Sequence, residues 1–318
     1  MEFLLQYGMF ILKTLTLAFA IIVTVAAVAG IIVSIGRKVK HKVEITALDK
    51  QYADVKAELY RLAKNKKINK KQKNKTKPAL YVIDFHGDLK ASQVEQLRDI
   101  ITIVLDVAEE KDQVVLCLES SGGTVNGYGL AAAQLQRIRD KKITLTVCID
   151  QVAASGGYLM ACVANSIVAA PFAIIGSIGV VAQLPNFHRW LKKNNIDFEM
   201  LTAGEYKRTL TLFGENTTKG RQKFQEDLEK IHLAFRDFVL ANRPNLDVSQ
   251  VTTGEHWLAT DALKLGLVDR LQTSDEFLNH RMAEFNAFKI TIPEKRSLLD
   301  KFIKPTMQWL QYNLKLPL

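Results

Sequence analysis

The sequence predicts an α/β protein: a mostly parallel sheet with helical crossovers, preceded by one N-terminal transmembrane helix. Two patterns carry that expectation. From Pro78 onward, short β-branched apolar runs alternate with helix-periodic stretches, the signature of strands joined by crossovers and buried on both faces. Ahead of them, the 23 residues between Lys13 and Arg37 carry no charge. At ~1.5 Å per residue they are long enough for a ~30 Å hydrocarbon core. The run is too long for a cleaved signal peptide, and Met1–Phe10 lacks the usual basic start.

Charge separates the two regions. Residues 1–77 hold 16 Lys and Arg against 5 Asp and Glu, whereas the other 241 residues hold 27 against 28. A nucleic-acid-binding core would carry a basic face of its own, so nucleic acid is excluded as a partner. Arg37, Lys38, Lys40 and Lys42 follow the apolar run, and the positive-inside rule assigns that flank to the cytoplasm. Leu48, Tyr52, Val55, Leu59 and Leu62 then recur at helical spacing as one apolar stripe. Residues 64–77, with eight Lys and no acid, read as an extended linker kept open by like-charge repulsion. Cys117, Cys148 and Cys162 sit in separate apolar runs without metal or disulfide spacing and read as buried thiols.

In the second region, LYVIDF (80–85), VVLCLE (114–119), ITLTVCI (143–149), SIVAA (166–170) and DFEMLT (197–202) read as strands. Ser92 with Glu95 reads as a capping box opening a helix that runs to about Glu110. VAASGGYLMACVA reads as a turn and a helix. Three glycine-marked loops, Ser120–Gly123, Ser155–Gly157 and Gly176–Gly179, fall after strands, where ligands of parallel sheets bind.

Ser155 opens a helix, so it is either an ordinary N-cap or an exposed nucleophile. In the second case the N–H of Gly156 points from the helix start and can hold an oxyanion. Gly122, without a Cβ, is a second donor if its loop lies alongside. A serine needs a base. Of the six histidines only His86 and His256 are plausible, and neither has a carboxylate partner within a motif. Lys207, in TAGEYKRTL after the turn glycine Gly204, is the other candidate. A lysine serves as a base only where burial and dipoles lower its pKa by about 2–3 units, and composition and spacing do not single this one out.

SSGGTV (120–125), AASGGYLMA (153–161), GSIGVV (176–181), AGEYKR (203–208) and GEHWLATDALKLGLVD (254–269), with the apolar run and basic linker, span nearly the whole chain. In combination they resemble the bacterial membrane serine proteases related to signal peptide peptidase A, in the ClpP/crotonase superfamily. The resemblance implies a ClpP/crotonase-like sheet and a Ser/Lys dyad, with Ser155 as nucleophile and Lys207 as general base. It further implies oxyanion donors at Gly122 and Gly156, and Ser177 as the hydroxyl that holds the lysine amine. Ser121 stands where relatives often have proline. No cofactor or metal is implied. The implied substrates are unfolded or membrane-derived, signal-peptide-like peptides with small or apolar residues at the cut. The implied assembly is a homo-oligomer with sites between neighbouring subunits, at the bacterial inner membrane. There the resemblance points the catalytic domain to the periplasm, against the charge rule.

The expected domains are 1–42, anchor and basic flank; 43–77, amphipathic helix and linker; 78–290, protease; and 291–318, a C-terminal tail. Two other functions compete. A crotonase-type acyl-CoA enzyme would need an acid/base carboxylate, for which Glu119 is the nearest. A non-catalytic membrane scaffold would need no dyad.

Overall fold

A computed structural model of the chain describes residues 8–19, 44–48, 50 and 77–291. The chain divides into two units, 1–42 and 43–318. In the first, residues 8–19 are helical and their apolar side chains, among them Phe10, Leu12, Leu15 and Phe19, are exposed. Among the described residues no helix is long and apolar enough to cross a membrane. The expected span lies largely outside them, as do the Lys-rich linker, most of the 48–62 stripe and the C-terminal tail.

Among the described residues the second unit has ten strands: β1 (Glu44–Ala47), β2 (Ala79–Gly87), β3 (Gln113–Ser120), β4 (Thr144–Ile149), β5 (Val152–Ala154), β6 (Ser166–Ala169), β7 (Ile174–Gly176), β8 (His256–Leu258), β9 (Arg270–Leu271) and β10 (Asn286–Thr291). The helices are α1 (Val94–Val107), α2 (Val125–Asp140), α3 (Gly156–Ala161), α4 (His188–Lys193), α5 (Thr218–Asn242), α6 (Val248–Val251), α7 (Ala259–Lys264) and α8 (Ser274–Arg281). The main path of the sheet runs β1-β10-β2-β3-β4-β6-β9 and is parallel except at β1–β10.

Period-2 alternation sends each strand's residues to two apolar layers. Ile83, Phe85, Leu116, Leu118, Val147 and Ile149 meet helices α1, α2 and α3 on one face. On the other, Val82, Val115 and Cys148 meet Phe277 of α8, Phe285 and Leu48. Burial on both faces explains why these strands read as continuous apolar runs.

Three expectations are corrected. Helix α1 starts with Gln93 as its N-cap, and Ser92 does not cap it. The Ser92 N–H and hydroxyl both donate to the Asp88 carboxylate, at 2.7 Å each, so Ser92 closes the turn ahead of the helix, which begins one residue later. Residues 197–202 form no strand. Phe198, Met200 and Leu201 are exposed there, without a neighbouring strand to complete the backbone hydrogen bonds that a strand needs. The 151–155 stretch, read as a turn, contains the short strand β5, which makes the site.

Candidate active site

β5 extends the sheet sideways. Ala153 pairs in parallel with Ser120 at the end of β3, and Ala154 pairs with Gly176 of β7. The three glycine-marked loops therefore emerge side by side from carboxyl ends of adjacent strands. Among the loops, the Ser155 N–H donates to the Gly176 carbonyl at 2.7 Å, which ties the serine turn to the one carrying Ser177.

Ser155 has φ 52° and ψ −119°, a region that side-chain-bearing residues rarely occupy. The conformation costs about 1–3 kcal/mol. It is the sharp strand-to-helix turn that lifts a nucleophilic serine clear of the sheet. Ser155 stands at the N-cap position of helix α3, but no side-chain cap bond ties its hydroxyl to the helix. Gly156, the first residue of α3, has an N–H that no turn of the helix can use.

Gly122 lies directly against this turn. With φ +93°, a Cβ built on it would stand 2.7 Å from the Ser155 Cβ and 2.8 Å from the Gly156 nitrogen. The expected adjacency of the two loops is thus present. The Gly122 N–H donates to Ser120 Oγ at 3.0 Å, and Gly123, not Gly122, faces the cavity beside Ser155. The Ser120–Gly122 bond could not be read from the motif, because it follows from the Ser120 hydroxyl being buried at the end of β3.

The cavity has a volume of about 350 Å³ and a mainly apolar lining. Ser155, Gly156 and Gly123 line it together with Leu159, Val181, and Phe235 and Phe238 of helix α5. Nothing in the sequence singles out these phenylalanines. Their helix shows only Val239 fully buried, so its apolar positions read as ordinary amphipathic packing.

Ser177 follows β7 with φ 53°, one residue past the Ala154–Gly176 pair and thus level with Ser155. Lys207 lies on the irregular segment between β7 and helix α5, in a turn where its N–H donates to the Gly204 carbonyl at 3.2 Å. Its side chain is exposed within the single chain. Among the described residues no hydrogen bond joins it to Ser155. His86 has found a carboxylate, Glu119, at 3.4 Å, yet both line a separate cavity of about 240 Å³ with Asp84, Cys117 and Cys148. Strand alternation puts Glu119 and Ser120 on opposite faces of β3, so the carboxylate that a crotonase-type reaction would use does not reach the Ser155 cavity. The three cysteines are free, and burial pushes the Cys117 and Cys162 thiols up to about 12. Among the described residues no group of metal-ligating side chains is assembled.

A serine raised on a strained turn, beside a helix start and an apolar cleft, defines a hydrolase of the acyl-transfer class. Residues 137–287 match Peptidase family S49, and residues 2–135 match Peptidase family S49 N-terminal. The chain is 45% identical over 330 residues to the probable protease SohB of Haemophilus influenzae, covering 95% of this chain and 92% of that one. It is 47% identical over 309 residues to the probable protease SohB of Buchnera aphidicola subsp. Schlechtendalia chinensis, covering 88% and 100%. The chain belongs to peptidase family S49 and is a serine peptidase. Among solved structures, a mutant of the 1510-N membrane-bound stomatin-specific protease in complex with a substrate peptide aligns at TM-score 0.43 and 16% identity, over 73% of this chain and 99% of that one.

Proposed function

We propose that the chain is a membrane-anchored endopeptidase in which Ser155 attacks, Lys207 is the general base, and Ser177 holds the lysine amine. The observation that carries this is the strained Ser155 turn facing an apolar cavity with Gly123 and Gly156 beside it. Neutral Lys207 takes the Ser155 Oγ proton as the oxygen attacks the peptide carbonyl. The N–H groups of Gly156 and Gly123 receive the oxyanion, because that of Gly122 is engaged by Ser120. Gly122 serves instead by lacking a Cβ. Collapse expels the amine, which takes the proton from Lys207. Lys207 then takes a proton from the water that attacks the Ser155 ester and gives it to the departing Ser155 Oγ, which regenerates both groups.

The cavity lining supports a substrate with an apolar side chain at the cut, drawn from unfolded or membrane-derived peptides. Exposure of Lys207 in one chain supports a homo-oligomer, in which a second copy dries the dyad. The segment bearing it exposes Val181, Trp190 and Leu201 by 80%, 60% and 96%, apolar side chains that a second copy would cover. The exposed apolar side chains of the 8–19 helix, continuing into the uncharged run to Arg37, support anchoring in the bacterial inner membrane.

A fluorophosphonate probe tests the assignment. It is expected to label the wild-type chain at Ser155 and to leave Ser155→Ala unlabelled, while Lys207→Ala stays folded and loses peptide hydrolysis. Hydrolysis that survives either substitution would sink the dyad.

A further inference from the structure

Beneath the serine turn lies a buried chain of hydroxyls that the proposed chemistry does not use directly. Tyr128, on helix α2, is fully buried, and Ser120 at the end of β3 nearly so. The Tyr128 hydroxyl donates to the Asp88 carbonyl at 2.8 Å. With that proton on the Asp88 carbonyl, we assign Ser120 as the donor in the 2.5 Å contact between Ser120 Oγ and the Tyr128 hydroxyl, in preference to the Gly87 carbonyl at 3.5 Å. Ser120 Oγ then accepts the Gly122 N–H at 3.0 Å. Gly122 N–H, Ser120, Tyr128 and the Asp88 carbonyl thus form one unidirectional relay, in which each bond polarises the next.

The same tyrosine also supports the other half of the site. Its ring packs on Gly156 so closely that a Cβ there would meet Cδ2 at 2.7 Å and the Tyr128 Cβ at 2.8 Å. A Cβ on Gly157 would stand 2.5 Å from the Ser120 carbonyl oxygen. One side chain therefore touches the helix start through its ring and reaches the 122–123 loop through its hydroxyl. Burial pushes the Tyr128 hydroxyl above its ordinary value.

We infer that Tyr128 and Ser120 are positioning residues that set the spacing between the two oxyanion donors, Gly123 and Gly156. The inference rests on the Ser155 acyl-transfer assignment above. Such donors act only where the oxyanion forms, so a small error in spacing lowers kcat and leaves substrate binding alone.

The test compares the full-length wild type with Tyr128→Phe, which removes one oxygen and keeps the ring on Gly156. Three quantities are read: kcat per fluorophosphonate-titrated site, KM for an apolar fluorogenic peptide, and affinity for a peptide aldehyde whose adduct carries the oxyanion. The expected result is a loss of about tenfold in kcat and an equal loss in aldehyde affinity, with KM within about twofold. Ser120→Ala, read by the same measures, stands in if Tyr128→Phe does not fold. Unchanged kcat and aldehyde affinity per titrated site would overturn the inference. So would a loss confined to the number of titratable sites, which would mark a purely structural role. A wild type that neither takes the probe nor hydrolyses peptide would instead sink the underlying Ser155 assignment.

Discussion

Replacing Gly122 by alanine adds one methyl group at the tightest point of the site. That Cβ would stand 2.7 Å from the Ser155 Cβ, 2.8 Å from the Gly156 nitrogen and 2.9 Å from the Ala154 carbonyl oxygen. Carbon atoms ordinarily pack at about 3.5–4.0 Å, so the loop and the serine turn must part by about 0.8 Å. Two of the three obstacles are backbone, which no rotamer change relieves. Overpacking of this kind costs about 1–3 kcal/mol. The φ of +93° adds about 1 kcal/mol once a Cβ is present. A displacement near 1 Å at a reacting centre lowers the rate by about 10²-fold. Gly122→Ala is therefore expected to lose about 2–4 kcal/mol of stability and about a hundredfold in kcat per probe-titrated site. Urea unfolding gives the first number and peptide hydrolysis the second. Gly254→Ala, with φ +87° and nothing within 4 Å of its built Cβ, isolates the backbone component of the stability loss. Retention of more than a third of wild-type kcat, with an unfolding midpoint matching that of Gly254→Ala, would refute the close approach of the 122 loop to Ser155.

Ser155→Gly relieves the positive φ of 52°, so it is expected to be more stable to urea than Ser155→Ala by about 1 kcal/mol; equal midpoints would mean the turn is unstrained. The buried thiols set an alkaline limit. Cys117 and Cys162, pushed from 9.0 up to about 12 by burial, stay protonated in the fold but ionise from about pH 9 once unfolded. Their contribution to stability is full below that pH and is lost as pH rises toward about 12, so the urea midpoint should begin to fall above about pH 9, and alkylation of the native protein at about pH 8 should be slow. Fast alkylation of folded protein would contradict the burial.

Much of the fold could be read from residue order. The runs around Val82, Leu116, Val147 and Val168 are apolar on both faces, and only a parallel sheet covered on both sides demands that. Local rules failed where a tertiary partner intervened. Asp88 drew Ser92 away from its capping role, and residues 197–202, β-prone by composition, had no strand to pair with. β5 escaped notice because three residues carry almost no periodicity, and its pairing with both β3 and β7 involves residues far apart in the chain.

By itself, the residue order determined the alternation of strands and helices, the three glycine-marked loops, and Ser155 at the start of a helix. Those depend on neighbours along the chain, whose spacing is the physical cause. Only the tertiary structure decided that the 120 and 155 loops touch, that the Gly122 N–H donates to Ser120, that Phe235 and Phe238 line the cavity, and that Glu119 faces away from it. Each of these turns on distances between strands and helices remote in sequence, set by how the sheet twists and how side chains pack, which no local pattern encodes.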